Sequence, residues 1–284
     1  MFLEKKKTLK KVLFVFLLIF AVIGLVFVLV FFAMQFGWLN VKGSVSERNS
    51  YFNINNSLNL KNDANSGVVA PWVETPEWKL LKEVFTRDQA IITKAGEDAK
   101  ISPRLILSGV MGEQIRFFNG RRESFKNYFE PLKILAQLSK FSFGIAGLKP
   151  DTVKLIEEHL KDPRSRFYLG SDMENVANYP EGVDLDIERM NRITDVKNPY
   201  YSYLYVGLFM QQVEAQWERA GYPVTNRPEI LATLYNLGFN RSIPKANSAA
   251  GGATINLGGT DYTFGDFAYE FYYSNELVDI FPKE

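Results

Sequence analysis

Hydrophobic and polar positions divide the chain into three regimes. From Val12 to Phe36 about 25 consecutive residues carry no charge, enough at about 1.5 Å per residue to cross a hydrocarbon core of roughly 30 Å with some tilt. From Gly43 to Ala70 the sequence is rich in Asn and Ser and follows neither a helical nor a strand period, which predicts a tether. From Pro71 onward helical spacing dominates. Trp72, Trp78, Leu80, Leu81, Val84 and Phe85 open a first helical layer that runs to Lys100. Ser102-Pro103 combines a hydroxyl cap with Pro in the first turn and predicts a helix through Phe118, stopped at Asn119-Gly120. Glu123 to Ser139 reads as another helix, broken at Pro131, and Phe141 to Lys149 is a short Gly-containing stretch without helical pattern. Asp151 is a candidate cap for a helix Thr152–Leu160, and further helices are expected at Tyr203–Ala220 and Pro228–Leu237. A Gly-rich insert, Ala249 to Gly259, precedes a last aromatic segment from Phe264 to Phe281. No internal repeat is visible, which argues against a solenoid, and the expected fold class is mainly α.

The charges flanking the apolar run orient it. Lys5, Lys6, Lys7, Lys10 and Lys11 precede it, whereas Lys42 and Arg48 are the first basic residues beyond it. The positive-inside bias therefore assigns residues 1–11 to a cytoplasmic basic tail, 12–36 to a single transmembrane helix, 37–70 to an extracytoplasmic linker and 71–284 to the folded domain. Trp38 stands where an interfacial aromatic anchor belongs. The run exceeds a signal-peptide core of about 7–15 residues and ends in Phe and Trp instead of small residues, which argues against cleavage. With 33 basic against 32 acidic side chains the net charge is +1, so electrostatics point away from nucleic acid. The absence of cysteine excludes disulfides, thiolate metal sites and cysteine nucleophiles, and with a single histidine a zinc site is not expected. No cofactor is implied.

One carboxyl group interrupts an apolar stripe. Glu113 shares a helical face with Ile106, Gly109, Val110 and Phe117, positions that otherwise face a core. Desolvation disfavours the charged form of a carboxyl, which suits a general acid working near neutral pH. The competing reading is a structural Glu, bonded to a neighbouring loop or paired with an Arg such as Arg116.

Three separated segments add to this reading. They are Pro103 to Glu113, then Ser142-Phe143-Gly144-Ile145-Ala146-Gly147-Leu148-Lys149-Pro150-Asp151-Thr152-Val153, then Ala232-Thr233-Leu234-Tyr235-Asn236-Leu237-Gly238. In order and spacing they resemble the lysozyme-like lytic transglycosylase superfamily, which includes soluble lytic transglycosylases and goose-type lysozymes, and the similarity extends from about Ile91 to Phe281. The resemblance implies a lysozyme-like helical domain, peptidoglycan glycan strands as substrate and Glu113 as the single catalytic acid and base. It also implies a substrate cleft formed by Ser142, Phe143 and Gly144 with Tyr235, Asn236 and Gln114, the Tyr235 hydroxyl being aimed at Glu113 or the substrate. Two positions depart from the family pattern: Gln114 stands where Ser is usual, and Gly147 where Gln is common. Both imply altered subsite contacts with the acid retained. Two alternatives accompany this expectation: a non-catalytic glycan-binding or envelope-assembly component, and a hydrolytic lysozyme. The latter needs a second carboxylate about 5–9.5 Å from the first, and Glu123 and Glu130 are the nearest in sequence.

Other residues receive simpler readings. His159 sits at a polar helix end and is expected to serve as a cation near the helix C-terminus. Asp184, Asp186 and Glu188 lack the Gly and spacing of a calcium loop and read as a solvated turn. Tyr200, Tyr201, Tyr203 and Tyr205 can stack on sugar rings or pack in the core. Gly251-Gly252 to Gly258-Gly259 lacks the Lys-Ser/Thr of a phosphate-binding loop.

Overall fold

The protein is described by a computed structural model covering residues 11, 14–18, 20–29, 70–119 and 144–283, with only the helical backbone at 117–119. Two compact units divide the chain, Met1–Lys42 and Gly43–Glu284. In the first, residues 14–18 and 20–29 are helical and their apolar side chains are exposed, Phe20 to 68% and Phe14 to 66%. Among the described residues no helix is long and apolar enough to cross a membrane. The expected span from Val12 to Phe36, the linker 37–70 up to Val69 and the expected helix Glu123–Ser139 lie wholly or partly outside the described residues.

The second unit is mainly helical, in the order of a 3-10 turn Pro71–Glu74, α1 Pro76–Arg87, α2 Gln89–Ala99, α3 Pro103–Asn119, α4 Pro150–Lys161, α5 Leu185–Thr194, α6 Tyr200–Arg219, α7 Pro228–Leu237, the hairpin β1 Thr254–Leu257 and β2 Thr260–Thr263, and α8 Phe264–Tyr273. Local chemistry sets most of the boundaries. Thr75 caps α1 by accepting the Trp78 N–H at 3.3 Å, with Pro76 in the first turn. Pro103 opens α3, but the Ser102 hydroxyl is buried without a partner; its carbonyl accepts from Leu105 and Ile106 and closes the turn. Asp151 is likewise not a cap, because Pro150 already begins α4 and places Asp151 in the first turn, where it favours the positive helix end as a charge.

Two elements differ from expectation. The Asp184 carboxylate accepts the backbone N–H groups of Asp186 and Ile187 at 2.9 and 3.0 Å, so the acidic run is the capped start of α5 and not a free turn. An antiparallel hairpin begins in the Gly-rich insert and ends just beyond it, with Thr254 opposite Thr263 and Leu257 opposite Thr260. Its turn residues Gly258 and Gly259 both have positive φ, 58° and 86°, the backbone that a two-residue hairpin turn requires.

The core is built around α6. Residues Ser202 to Met210 are buried without interruption, so this helix is enclosed on all sides. Gly207 brings it against α2: a Cβ there would stand 2.8 Å from that of Ala99. The tyrosines of α6 divide accordingly. Tyr203 and Tyr205 are fully buried and donate to Asp88 at 3.0 Å and Glu157 at 2.7 Å, while Tyr201 packs on the Arg192 guanidinium at 3.9 Å. His159 is half-buried between the rings of Phe167 and Phe239, with Nδ1 3.0 Å from Ser165 Oγ. Burial pushes its pKa down, so near neutral pH it is an uncharged packing group and not the helix-end cation expected.

A buried arginine ties the chain's last segment to α3. Arg104 is wholly inaccessible, and all five of its N–H groups donate to backbone carbonyls at 2.7–3.0 Å: Phe271, Tyr272, Ser274, Glu276 and Phe281. These carbonyls lie at and beyond the C-terminus of α8, where a cation also meets the negative helix end. The guanidinium stacks 4.5 Å from the Phe271 ring, and burial lowers its pKa to about 10. Arg104→Met is expected to strand those carbonyls and cost about 3–5 kcal/mol of stability. Arg104→Lys, with three donors in place of five, should fall between Met and the parent in urea unfolding; equal midpoints for all three proteins would remove the clamp from the account.

Candidate functional site

α3 carries Glu113 into the core because two glycines let its neighbours approach. A Cβ at Gly109 would lie 2.5 Å from Met210 of α6, and one at Gly112 would lie 2.7 Å from the Phe264 ring of α8. Ile106 and Val110 are fully buried, and Glu113, next on the same face, is only 5% exposed.

Among the described residues the carboxyl group has three sets of neighbours. Arg116, one turn along α3, forms an ion pair with Nη2 2.7 Å from Oε2, and among the described residues Oε2 accepts no aligned hydrogen bond. The Asn236 amide at the end of α7 donates to Oε1 at 3.3 Å. Its orientation is set from behind, where the Asn236 carbonyl oxygen accepts the Ala253 backbone N–H at 2.9 Å. The third neighbour is the backbone of residues 144–148. Gly147 has φ +63°, and a Cβ there would stand 2.6 Å from Glu113 Oε2. The position where the resembled family commonly has Gln is thus the place where this chain's backbone lies against the carboxylate, leaving no room for a side chain.

The same backbone stretch is fixed by two further bonds. The Gln114 amide donates to the Ile145 carbonyl, and the Tyr235 hydroxyl donates to the Ala146 carbonyl at 2.6 Å. Tyr235 was expected to aim its hydroxyl at Glu113 or the substrate; it instead braces the wall beside Glu113, edge-on to Phe209 at 5.4 Å. Burial first, and the nearby Glu113 charge second, push its phenol well above the ordinary pKa, so it remains a neutral donor. Gln114, expected to contact substrate, is likewise spent on the wall. Gly144, with φ +66°, sits against the Ile193 carbonyl of α5, only 1.8 Å from where its Cβ would stand. The structure therefore brings together Glu113, Gln114, Tyr235 and Asn236 with residues 144–148. Ser142 and Phe143, and the candidate second carboxylates Glu123 and Glu130, lie outside the described residues.

Two contributors were not among the expected site residues: Arg116, paired with Glu113, and the Ala253 N–H, which holds Asn236. The first was legible as an i+3 partner on the same helix face. The second was not, because nothing local links residue 253 to residue 236. Among the described residues no cluster of His, Cys, Asp or Glu could hold a metal ion. A groove of about 930 Å³ lies between α4, the loop 174–183 and the start of α5, and none of its lining residues belongs to the Glu113 site. No family model, curated protein or solved structure matches the chain.

The tight contact at Gly147 yields a paired test. Gly147→Ala must accommodate both the positive φ and the collision with Glu113, whereas Gly182→Ala meets only the first, since at φ +78° nothing lies within 4 Å of its added Cβ. Both are expected to destabilise, Gly147→Ala by about 1–3 kcal/mol more than Gly182→Ala. Equal losses in thermal or urea unfolding would show that Gly147 does not press on the carboxylate.

Proposed function

We propose that the chain is a membrane-anchored peptidoglycan lytic transglycosylase with a lysozyme-like domain, in which Glu113 serves as both acid and base. The observation that carries this reading is the convergence on one buried carboxyl of three sequence segments that are far apart in the chain: α3, the stretch 144–148 and the end of α7. Those are the segments whose order and spacing resemble the family. In the first step Glu113 gives its proton to the glycosidic oxygen between N-acetylmuramic acid and N-acetylglucosamine. As a carboxylate it then takes the proton of the muramoyl 6-hydroxyl, whose oxygen closes on the anomeric carbon to form a 1,6-anhydro end. One carboxyl suffices because the attacking hydroxyl belongs to the substrate. Asn236, steadied by Ala253, would hold the carboxyl in place through both steps. A hydrolytic outcome would require a second carboxylate.

A second reading has its own support. An ion-paired carboxylate has no proton to give, and Glu113 lies 2.7 Å from the Arg116 guanidinium. A protein that only holds glycan, or helps assemble the envelope, would keep this pair as a structural feature. The two readings separate on product. Mass spectrometry of glycan strands treated with the full-length protein in detergent should reveal 1,6-anhydro ends. Glu113→Gln should reduce cleavage by at least about 10²–10⁴-fold while keeping the fold, since the amide matches the carboxyl in shape but cannot relay a proton. Reducing ends would identify a hydrolase, and binding without any cleavage would identify the non-catalytic component.

Anchoring through the segment around residues 14–29 is supported by its exposed apolar helix and by the lysines before it. An alkaline phosphatase fused after Glu284 should be active in intact cells, placing the domain outside. Activity restricted to a cytoplasmic reporter at that site would reverse the topology and remove access to the wall.

A further inference from the structure

The angle at which Asn236 meets Glu113 is set by contacts that lie away from the carboxyl. Residues 248–253 are buried and run along α7 in the direction of its C-terminus. Three hydrogen-bonded rungs tie this strap to the helix in register. Arg227 Nη1 donates to Ser248 Oγ at 2.8 Å, the Gly251 N–H donates to Thr233 Oγ1 at 2.9 Å, and the Ala253 N–H donates to Asn236 Oδ1 at 2.9 Å. The other edge of the strap is held by α8, whose first two N–H groups, those of Phe264 and Gly265, donate to the carbonyls of Ala253 and Gly251 at 3.1 and 2.9 Å. A Cβ at Gly265 would collide with the Thr233 hydroxyl and stand 2.9 Å from the Gly251 nitrogen, so the bare backbone lets α8 close on the strap. Thr233 is the middle rung and is fully buried. Its hydroxyl donates to the Glu229 carbonyl one turn back at 2.6 Å, which commits its proton to α7 and leaves a lone pair for Gly251.

We propose that Thr233 is a positioning residue for Glu113: by holding Gly251 it fixes the Ala253 N–H that orients the Asn236 amide on the carboxyl. The proposal rests on the glycan-cleaving reading for its effect on rate, whereas the relay of contacts is a matter of geometry. An Asn side chain has a donor end and an acceptor end, and a turn of the amide exchanges them. Asn236 keeps its NH₂ toward Glu113 because a donor stands behind its oxygen, two residues along the strap from the bond that Thr233 makes. Without the Thr233 hydroxyl the Gly251 N–H loses its acceptor in a buried place, the strap relaxes, and Asn236 loses its fixed angle. Thr233 donates to Glu229 and accepts from Gly251, so its influence on the carboxyl passes through Asn236.

The test is a double-mutant cycle in the full-length protein in detergent. Release of 1,6-anhydro ends from glycan strands gives the rate, and NMR of isotope-labelled asparagine side chains gives a readout that needs no turnover. Thr233→Val keeps the shape and removes the hydroxyl; it should lower kcat by about ten- to a hundredfold, the order of loss that follows a displacement near a reacting group. KM should stay within about twofold, since no substrate contact is removed. Thr233→Ser, which keeps the hydroxyl, should retain most of kcat. In Asn236→Ala protein the change Thr233→Val should cost less than about twofold more, because residues acting through one contact do not add. The side-chain amide signals of Asn236, identified by their loss in Asn236→Ala, should shift or broaden in Thr233→Val and stay in place in Thr233→Ser. Thr233→Ala carries the same expectations and replaces the valine protein if that fails to fold. A full additional loss in the Asn236→Ala background, a serine variant as slow as valine, or unmoved Asn236 signals overturns the proposal and assigns Thr233 to packing. Wild-type protein that produces no anhydro ends overturns the glycan-cleaving reading, and the Asn236 signals then decide the positioning claim by themselves.

Discussion

Arg104 sits where α3 meets the end of the chain, and the domain is organised around the cost of burying it. A guanidinium without access to water is tolerable only if every N–H has an acceptor. Here the acceptors are five carbonyls between Phe271 and Phe281, so the last segment is wound around the side chain. That fixes α8 to the first half of α3. Trp72 and Trp78 lie against the same helix, with Trp72 edge-on to Phe267 at 5.3 Å and Trp78 against Phe271 at 5.5 Å, and their ring N–H groups donate to Glu270 and Glu276. The segment 72–78 and the last segment thereby meet at α8, which Arg104 holds to the first half of α3, and the other half of α3 carries Glu113.

Around Glu113 the protein solves a related problem with fewer resources. The carboxyl is nearly as secluded as Arg104, yet among the described residues it has one donor, Asn236, and one ionic neighbour, Arg116. The surrounding wall, by contrast, is firmly held: Gln114 and Tyr235 each secure a carbonyl of the 144–148 stretch, and Ala253 sets the angle of Asn236. The side chains expected to touch substrate are in part supports for the backbone that does the enclosing.

How much of this was legible varied with the range of the forces involved. The helix Pro228–Leu237 was readable to its ends, because Pro at the first turn and Gly238 at the close are local signals. Tyr200–Arg219 was readable as a helix but not as the centre of the core, since burial on all faces depends on which elements arrive around it. The hairpin at 254–263 was hidden inside a Gly-rich stretch whose paired glycines were read for what they lack as a phosphate loop and not for the turn they make. His159 was misjudged because its sequence neighbours are charged, while its spatial neighbours, Phe167 and Phe239, are aromatic.

Helix periodicity, the apolar segment and the isolated Glu on an apolar face were therefore set by the sequence alone, because each depends on residues within a turn or two of one another. Arg116 beside Glu113 belongs to the same category. What only the tertiary structure decided is the company Glu113 keeps from afar: Asn236, held by Ala253, and the bare backbone at Gly147. It also decided that Tyr235 faces a carbonyl and not the carboxyl. These contacts join positions roughly 20 to 120 residues apart, and such approach is governed by how whole helices pack, a quantity that no local pattern encodes.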